Sequence, residues 1–202
     1  MPRPDIRTLT GEAVRPWLPD LQRLRAVVFR DFPYLYDGDP AAPVGRAAMF
    51  AEVPGAAVVF AFADGRPVGA ATCLPLMAES ANVQAPFLAA GLDPTRFFYF
   101  GESVLEQAWR GQGIGHAFFD GREAQARARG ADFAAFCSVE RAADHPARPA
   151  DYQPHDAFWR GRGYLPHPTL ACTMEWTDVG DAGPSPHVLR FWLRSLTGAV
   201  LP

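Results

Sequence analysis

The chain has 202 residues, 49% of them hydrophobic, so it can bury one substantial core and is short for two full-sized domains. Its formal net charge of -3 excludes the overall basic field that draws proteins onto nucleic acid or anionic lipid. No apolar run approaches the roughly 18 residues of a membrane span, and no apolar segment follows the N-terminus, so we expect a cytoplasmic protein without membrane or nucleic-acid partners.

The first half of the chain predicts two helices, an aromatic loop and a hairpin. Apolar residues spaced by three and four after the capping residue Asp20 indicate an amphipathic helix, and apolar runs on both sides of Asp64-Gly65 indicate a hairpin. In chain order the elements are a helix over 19–30, an aromatic loop over 31–40, a short helix over 45–50, strands over 56–63 and 68–74, a short helix over 85–90 and a strand over 96–105.

In the second half, helices and strands alternate up to a final helix. The elements are a helix over 114–128, a strand over 131–139, a loop over 141–154, a short helix over 156–162, strands over 164–165 and 169–176, and a helix carrying Val188, Leu189, Trp192, Leu193 and Leu196. We therefore expect a single domain over 1–202, with 180–202 as a C-terminal helical extension. That helix can pack on the core or on a second copy, so a homodimer stays open.

A glycine-rich run joins the strand over 96–105 to the helix over 114–128: Arg110-Gly111-Gln112-Gly113-Ile114-Gly115. A turn in this place presents unpaired backbone N–H groups at the positive end of the helix dipole. Glycines remove the Cβ atoms that would keep an anion from these amides, and Arg110 can add a charge-assisted bond. The run therefore predicts a phosphate-binding site.

The spacing of the glycines shows which known phosphate-binding motif the run matches. A P-loop places Lys after its last glycine, whereas His116 follows Gly115. A dinucleotide fingerprint, G-x-G-x-x-G counted from Gly111, would also need glycine at His116. The pattern that fits is Q/R-x-x-G-x-G/A, met by Arg110, Gly113 and Gly115.

With this spacing the chain resembles the GNAT N-acetyltransferase superfamily. Residues 102–131 look like that family's fourth strand, pyrophosphate loop and third helix, and 157–164 are similar to its later helix, which ends in Gly-Phe or Gly-Tyr. The resemblance implies an α/β (α+β) fold with a mixed, mostly antiparallel sheet of about six to seven strands. Helices would flank this sheet, and its central strand pair would splay apart.

The resemblance also implies acetyl-CoA as cofactor, lying where the strands over 97–105 and 131–139 diverge. The pantetheine arm would take backbone bonds from the first strand, and a backbone N–H near Val104 or Leu105 would be the oxyanion donor. The predicted cofactor contacts are Val104, Leu105, Arg110, Gly111, Gln112, Gly113, Ile114, Gly115, His116 and Trp159.

Glu102 is the predicted catalytic base. Direct attack of an amine on the thioester requires a group that takes the ammonium proton, and carboxylates on this strand often serve the family so. Strand alternation puts Glu102 on one face with Val104 and Glu106. An ion pair between Glu102 and an arginine is the alternative role.

The proton donor for the leaving thiolate is where this chain departs from the family. Many members have Tyr four residues before the Gly of Gly-Phe, but counting back from Gly163 gives Trp159. Trp159 then belongs to the core or lines the coenzyme channel, because an indole N–H is no practical proton donor. The remaining candidates for the proton donor are water, Tyr152, Cys137 and Tyr164, and we predict Tyr164.

The aromatic loop over 31–40 lies where similar proteins cover the acceptor. Phe32, Tyr34 and Tyr36 are its predicted substrate contacts. With the acidic balance, this loop favours acetylation of a small cationic amine. Two alternatives stay open: a protein or peptide N-terminus as acceptor, and a sensor that binds acyl-CoA without turnover, which the missing Tyr would suit.

Overall fold

A seven-stranded sheet forms the centre of the computed structural model, which describes residues 3–41 and 43–202. The strands are β1 (Asp5–Thr10), β2 (Ala57–Ala63), β3 (Arg66–Pro75), β4 (Phe97–Leu105), β5 (Phe133–Val139), β6 (Leu165–Trp176) and β7 (Ser185–Ser195). They lie in the order β1-β2-β3-β4-β5-β7-β6, and only β4 and β5 run parallel. The predicted fold class, a mixed and mostly antiparallel sheet flanked by helices, is confirmed.

Helices cover both faces of the sheet. They are α1 (Leu18–Val28), α2 (Met49–Glu52), α3 (Ala81–Ala89), α4 (Ile114–Ala128) and α5 (Asp156–Gly161). The helices α1, α2 and α3 pack on one side, here named the α1 face, and α4 and α5 pack on the other, the α4 face. No helix among the described residues has both the length and the apolar character to cross a bilayer.

The central strands β4 and β5 pair over only three residues. The parallel ladder joins Phe97 to Phe133 and ends where Tyr99 lies opposite Ala135. Both strands continue, β4 to Leu105 and β5 to Val139, without further pairing to each other. A gap therefore opens between their carboxyl halves, which is the splayed pair that the resemblance implies.

The predictions for β1, β6 and α3 differ from the structure, and α3 spans Ala81–Ala89 rather than 85–90. The sequence pattern missed β1, a short edge strand that pairs along β2. The two strands expected over 164–165 and 169–176 are one strand, β6, whose pairing with β7 shifts between Pro166 and Ala171. Pro166 and Pro168 lack the N–H that a continuous ladder needs, which explains the interruption.

The predicted C-terminal helical extension is wrong, because residues 185–195 form β7 in the interior of the sheet. The apolar positions fit both periods, but the burial alternates: Leu189, Phe191 and Leu193 pack on the α1 face. Val188 stays 47% exposed, whereas Trp192 packs on the α4 face. Pairing with β5 on one side and β6 on the other decides the strand.

Candidate functional site

A β-bulge in β4 decides which face of the sheet Glu102 occupies. Opposite a single residue of β3, β4 holds both Gly101 and Glu102, so the side-chain alternation shifts by one. Glu102 therefore lies on the α1 face, as Tyr99 does before the bulge. Val104 and Glu106 follow on that face, so the three residues share it as strand alternation predicts.

Two buried residues hold the main chain of the bulge. The hydroxyl of Thr72 on β3 accepts the Glu102 N–H at 2.8 Å. On the other face, Nη1 of the buried Arg122 on α4 lies 3.5 Å from the Glu102 carbonyl oxygen. The sequence offers no signal for either residue, because each acts on a backbone group that only the folded sheet and helix bring close.

The Glu102 side chain forms an ion pair with Arg25 of α1. Arg25 Nε lies 2.6 Å from Glu102 Oε1, but its N–H is not aimed at that oxygen. Within the described residues, Arg25 Nε and Glu102 Oε2 are buried without a hydrogen-bond partner. Burial raises the pKa of Glu102, and the charge of Arg25 opposes that rise without cancelling it. The alternative ion-pair role is thus present, and the role as base stays a prediction.

Glu102 lines a cavity of about 370 Å³ on the α1 face. A second ion pair in its wall joins Arg46 to Glu79, whose carboxylate also accepts the N–H of Ser80. Six aromatic side chains also line it and form what we call its aromatic wall: Phe29, Tyr34, Tyr36, Phe50, Tyr99 and Trp176. We name this space the acceptor cavity.

The predicted acceptor contacts divide between two places. Tyr34 and Tyr36 line the acceptor cavity, and burial raises the pKa of Tyr34, which keeps its phenol protonated. Phe32 does not line it: its ring centroid lies 4.7 Å from that of Tyr152 and 5.7 Å from that of His145. Its side chain turns toward the loop after β5, so the prediction for Phe32 does not fit this arrangement.

Only alternate N–H groups of β4 point into the gap between β4 and β5. Glu106 N–H donates to Val68 of β3 at 3.0 Å, and N–H groups two residues apart on a strand point the same way. Val104 N–H therefore faces β3, whereas those of Ser103 and Leu105 face the gap. The direction of the Leu105 N–H fits its predicted role as a backbone donor, which stays a prediction. Ser103, which the sequence pattern did not suggest, offers a second N–H to the gap, whereas Val104 does not.

The glycine-rich loop leaves its amides free. Gly111 and Gly113 adopt φ values of +76° and +80°, in the left-handed region that favours glycine. The first backbone donors into α4 are His116 and Ala117, both to Gly113 O. Within the described residues, the N–H groups of 111–115 donate to no protein acceptor. Free amides at the positive end of a helix fit the pyrophosphate of a coenzyme.

The side chains of Arg110, Gln112 and His116, beside these amides, contact other protein groups. Arg110 donates from Nε to Leu105 O and from Nη2 to Asp31, each at 3.2 Å, so a phosphate contact would need its side chain to turn. Gln112 donates to Ala108 O at 3.2 Å. His116 lies with its ring centroid 4.9 Å from that of Phe158 on α5.

The side chains considered as proton donors lie in different environments. Tyr164 is fully buried on the α4 face, where its hydroxyl donates to Glu123 at 3.1 Å and burial raises its pKa. This placement argues against Tyr164 as the acid. Trp159 packs between Phe136 and Trp192, with ring centroids 5.0 Å away in each case. Of the other candidates, Cys137 lines the acceptor cavity.

Comparison with known proteins supports the reading of the fold. No curated protein sequence matches this chain. An aminoglycoside 6'-N-acetyltransferase solved with coenzyme A is 15% identical, with a TM-score of 0.57 over 96% of this chain and 99% of that one. An N-acetyltransferase from Staphylococcus aureus Mu50 is 12% identical, with a TM-score of 0.63 over 96% and 99%. A ribosomal-protein-alanine N-acetyltransferase from Brucella melitensis is 16% identical, with a TM-score of 0.60 over 95% and 99%.

These structures are too distant in sequence to show more than the fold. A family model built from sequences shows the family. The model described as the acetyltransferase (GNAT) family matches residues 21–150, more than half of the chain. That span contains the bulged strand, the acceptor cavity's α1 wall and the glycine-rich loop. The chain therefore belongs to the GNAT acetyltransferase family, whose cofactor is acetyl-CoA.

Proposed function

We propose that this protein transfers an acetyl group from acetyl-CoA to the amine of a small molecule held in the acceptor cavity. Attack is direct, with both substrates bound. The observation that carries the proposal is the position of Glu102, which lines the cavity with a raised pKa on the strand that borders the gap. A carboxylate placed there can receive a proton from an amine that enters the cavity.

The residues around the gap fit the cofactor. The free amides of 111–115 would hold the pyrophosphate, and the N–H groups of Ser103 and Leu105 would meet the pantetheine arm and the acyl oxygen. Acetyl-CoA supplies an activated thioester, so that a C–N bond forms, the C–S bond breaks, and free thiol and one proton are released.

Glu102 prepares the acceptor. An ammonium ion has no lone pair for attack, so one proton must leave it first, and Glu102 takes that proton and passes it to solvent. Burial favours this transfer, because a carboxylate with a raised pKa is a stronger base than an exposed glutamate. The aromatic wall gives the amine an apolar surface on which to pack while it is deprotonated.

The shape of the cavity favours a small acceptor over a protein. A cavity of about 370 Å³, bordered by α1, α2 and the aromatic loop, suits one small molecule, and two ion pairs occupy its wall. A peptide N-terminus would have to place the rest of its chain through the open side of the cavity. A peptide panel in the same assay decides between the two acceptor classes.

Glu102→Gln tests the proposal. We expect kcat to fall about 100- to 10,000-fold, because the variant cannot accept the ammonium proton. The rise of kcat/KM with pH should flatten, while the Kd of coenzyme A, measured by calorimetry, stays within about twofold. Thiol release with an amine panel is the activity measurement.

Glu106→Gln is the matched control. Glu106 lies on the same strand face but outside the cavity, in ion pairs with Arg23 and Arg66. We expect its kcat to change less than about threefold, because this carboxylate does not line the cavity and cannot take the proton of the bound ammonium. Equal losses in both variants, or an unchanged pH profile in Glu102→Gln, would contradict the role of Glu102. Tight coenzyme A binding without thiol release from any amine would favour the sensor alternative.

A further inference from the structure

In the wall of the acceptor cavity, one buried hydrogen-bond donor and one buried acceptor have no partner. Arg25 Nε and Glu102 Oε2 have no hydrogen-bond partner among the described residues, although the two side chains touch at 2.6 Å. Buried polar groups are almost always paired, so an unpaired donor beside an unpaired acceptor requires an explanation. Both side chains line the cavity and keep 28% and 20% of their surface exposed.

The charge of this pair restricts what can bind against it. An amine that carries only a positive charge can bind Glu102 Oε2 while Oε1 stays with Arg25, but it leaves Arg25 Nε without an acceptor. A buried donor that stays without an acceptor is unfavourable. A ligand with an anion and a cation can insert between the two side chains and compensate both, and it gives each unsatisfied atom a partner.

The spacing of the charges favours an α-amino acid among such ligands. In an α-amino acid one carbon separates the amino group from the carboxylate, which suits two protein groups already in contact. The second ion pair of the wall, Arg46 with Glu79, is also balanced internally. The exposed Glu175 of β6, which lines the cavity as well, adds a negative charge that attracts an amino group. Around these pairs lie Phe29, Phe50 and Trp176, which offer an apolar surface to a side chain.

We propose that the acceptor is the α-amino group of a free amino acid with an apolar or aromatic side chain. Its carboxylate binds Arg25, its amino group lies against Glu102, and its side chain packs on the aromatic wall. This inference rests on the proposed acetyltransferase function and names the substrate class of the same cavity. Arg25 becomes the residue that determines acceptor specificity.

Three acceptors that share one side chain test the inference on the unaltered protein. They are L-phenylalanine, L-phenylalanine amide and 2-phenylethylamine, and only the first carries a carboxylate. We expect kcat/KM for L-phenylalanine to exceed that of each of the others about 10- to 100-fold, as loss of a charge-assisted bond implies. A preference within about twofold would overturn the inference.

Arg25→Gln should remove that preference, bringing the three acceptors to within about threefold of one another. Arg23→Gln is the matched control, because Arg23 lies on the same helix but pairs with Glu106 outside the cavity. The control should keep the preference. A readout independent of turnover is calorimetric binding of L-phenylalanine to the complex with coenzyme A, which Arg25→Gln should weaken about tenfold.

Failure of this inference differs from failure of the proposed function. If the amide and 2-phenylethylamine are acetylated as well as L-phenylalanine, the protein is still an N-acetyltransferase, but the carboxylate plays no part. If no amine of a wider panel releases thiol and L-phenylalanine does not bind while coenzyme A does, both statements are wrong.

Discussion

At Gly101 the main chain of β4 passes so close to Thr72 that a side chain does not fit between them. A Cβ built at Gly101 would lie 2.8 Å from Thr72 Oγ1, the atom that accepts the Glu102 N–H. Thr72 is completely buried and has no room to withdraw. One small residue therefore supports both the bulge and the direction of the Glu102 side chain.

Gly101→Ala should destabilise the protein by about 1–3 kcal/mol, because it overpacks a buried contact. We also expect kcat to fall more than stability alone explains, since the bulge that orients Glu102 must move. Urea unfolding and thiol release measure the two effects. Gly161→Ala is the control, because an added Cβ there meets nothing within 4 Å. Unchanged stability and activity in Gly101→Ala would refute the role of the bulge.

At the scale of elements, the glycine-rich loop and α4 work as one unit. The left-handed turns at Gly111 and Gly113 let the chain enter α4 with its first amides exposed to one side. An added Cβ at either glycine would meet no atom within 4 Å. Backbone conformation, and not space, therefore requires glycine at these positions.

Gly113→Val should weaken coenzyme A binding about tenfold or more. A β-branched residue at φ +80° costs about 1–3 kcal/mol of strain, so the loop relaxes and its amides no longer converge. Gly180→Val carries similar strain, at φ +95°, far along the chain from the loop. Calorimetry should show normal coenzyme A affinity for Gly180→Val. Equal affinities for both variants would count against the predicted pyrophosphate site.

At the scale of the whole molecule, three distant segments meet beside the acceptor cavity. Arg141, after β5, donates to Pro33 O and Tyr34 O of the aromatic loop at 2.8 and 2.7 Å. It also makes two bonds of 2.7 and 2.8 Å to Asp178, after β6. Trp176 Nε1 donates to Tyr34 O and Asp178 as well, at 2.9 Å each. This network fixes the loop that carries Tyr34 and Tyr36.

Asp178→Ala should cost about 3–5 kcal/mol at pH 7, because it leaves the buried guanidinium of Arg141 uncompensated. The acceptor KM should rise as the aromatic loop loosens, while coenzyme A affinity stays unchanged. Glu140→Ala breaks the more exposed pair with Arg190 and should cost no more than about 1 kcal/mol. Similar losses in the two variants would contradict the network.

The same pair predicts a pH dependence of stability. Burial alone would raise the pKa of Asp178, but hydrogen bonds and charge from Arg141 outweigh it and lower the pKa. A carboxylate with a lowered folded pKa stabilises above its unfolded pKa of about 4 and loses that contribution as the pH falls. The stability difference between the native protein and Asp178→Ala should therefore narrow below about pH 4 in urea titrations.

Elements whose sequence signals lie within a short segment were predictable. The hairpin of β2 and β3 follows from apolar runs on both sides of a turn, and α4 follows from the glycine run and the apolar spacing after it. These signals are local, because a turn conformation or a helical stripe depends on residues a few positions apart. The strand β7 was predicted as a helix, since its apolar positions fit a helix as well as a strand.

By itself, the sequence determined the family motif and the strand that carries Glu102, because each depends on residue types at short spacing. The cofactor followed from the family resemblance that this motif carries. Only the tertiary structure decided that Glu102 shares the α1 face with Tyr99 and meets Arg25, and that Tyr164 is buried away from the cavity. The bulge, the ion pair and the place of β7 all depend on contacts between segments far apart in the chain. No local pattern encodes such contacts, since their free energy appears only when the whole sheet is assembled.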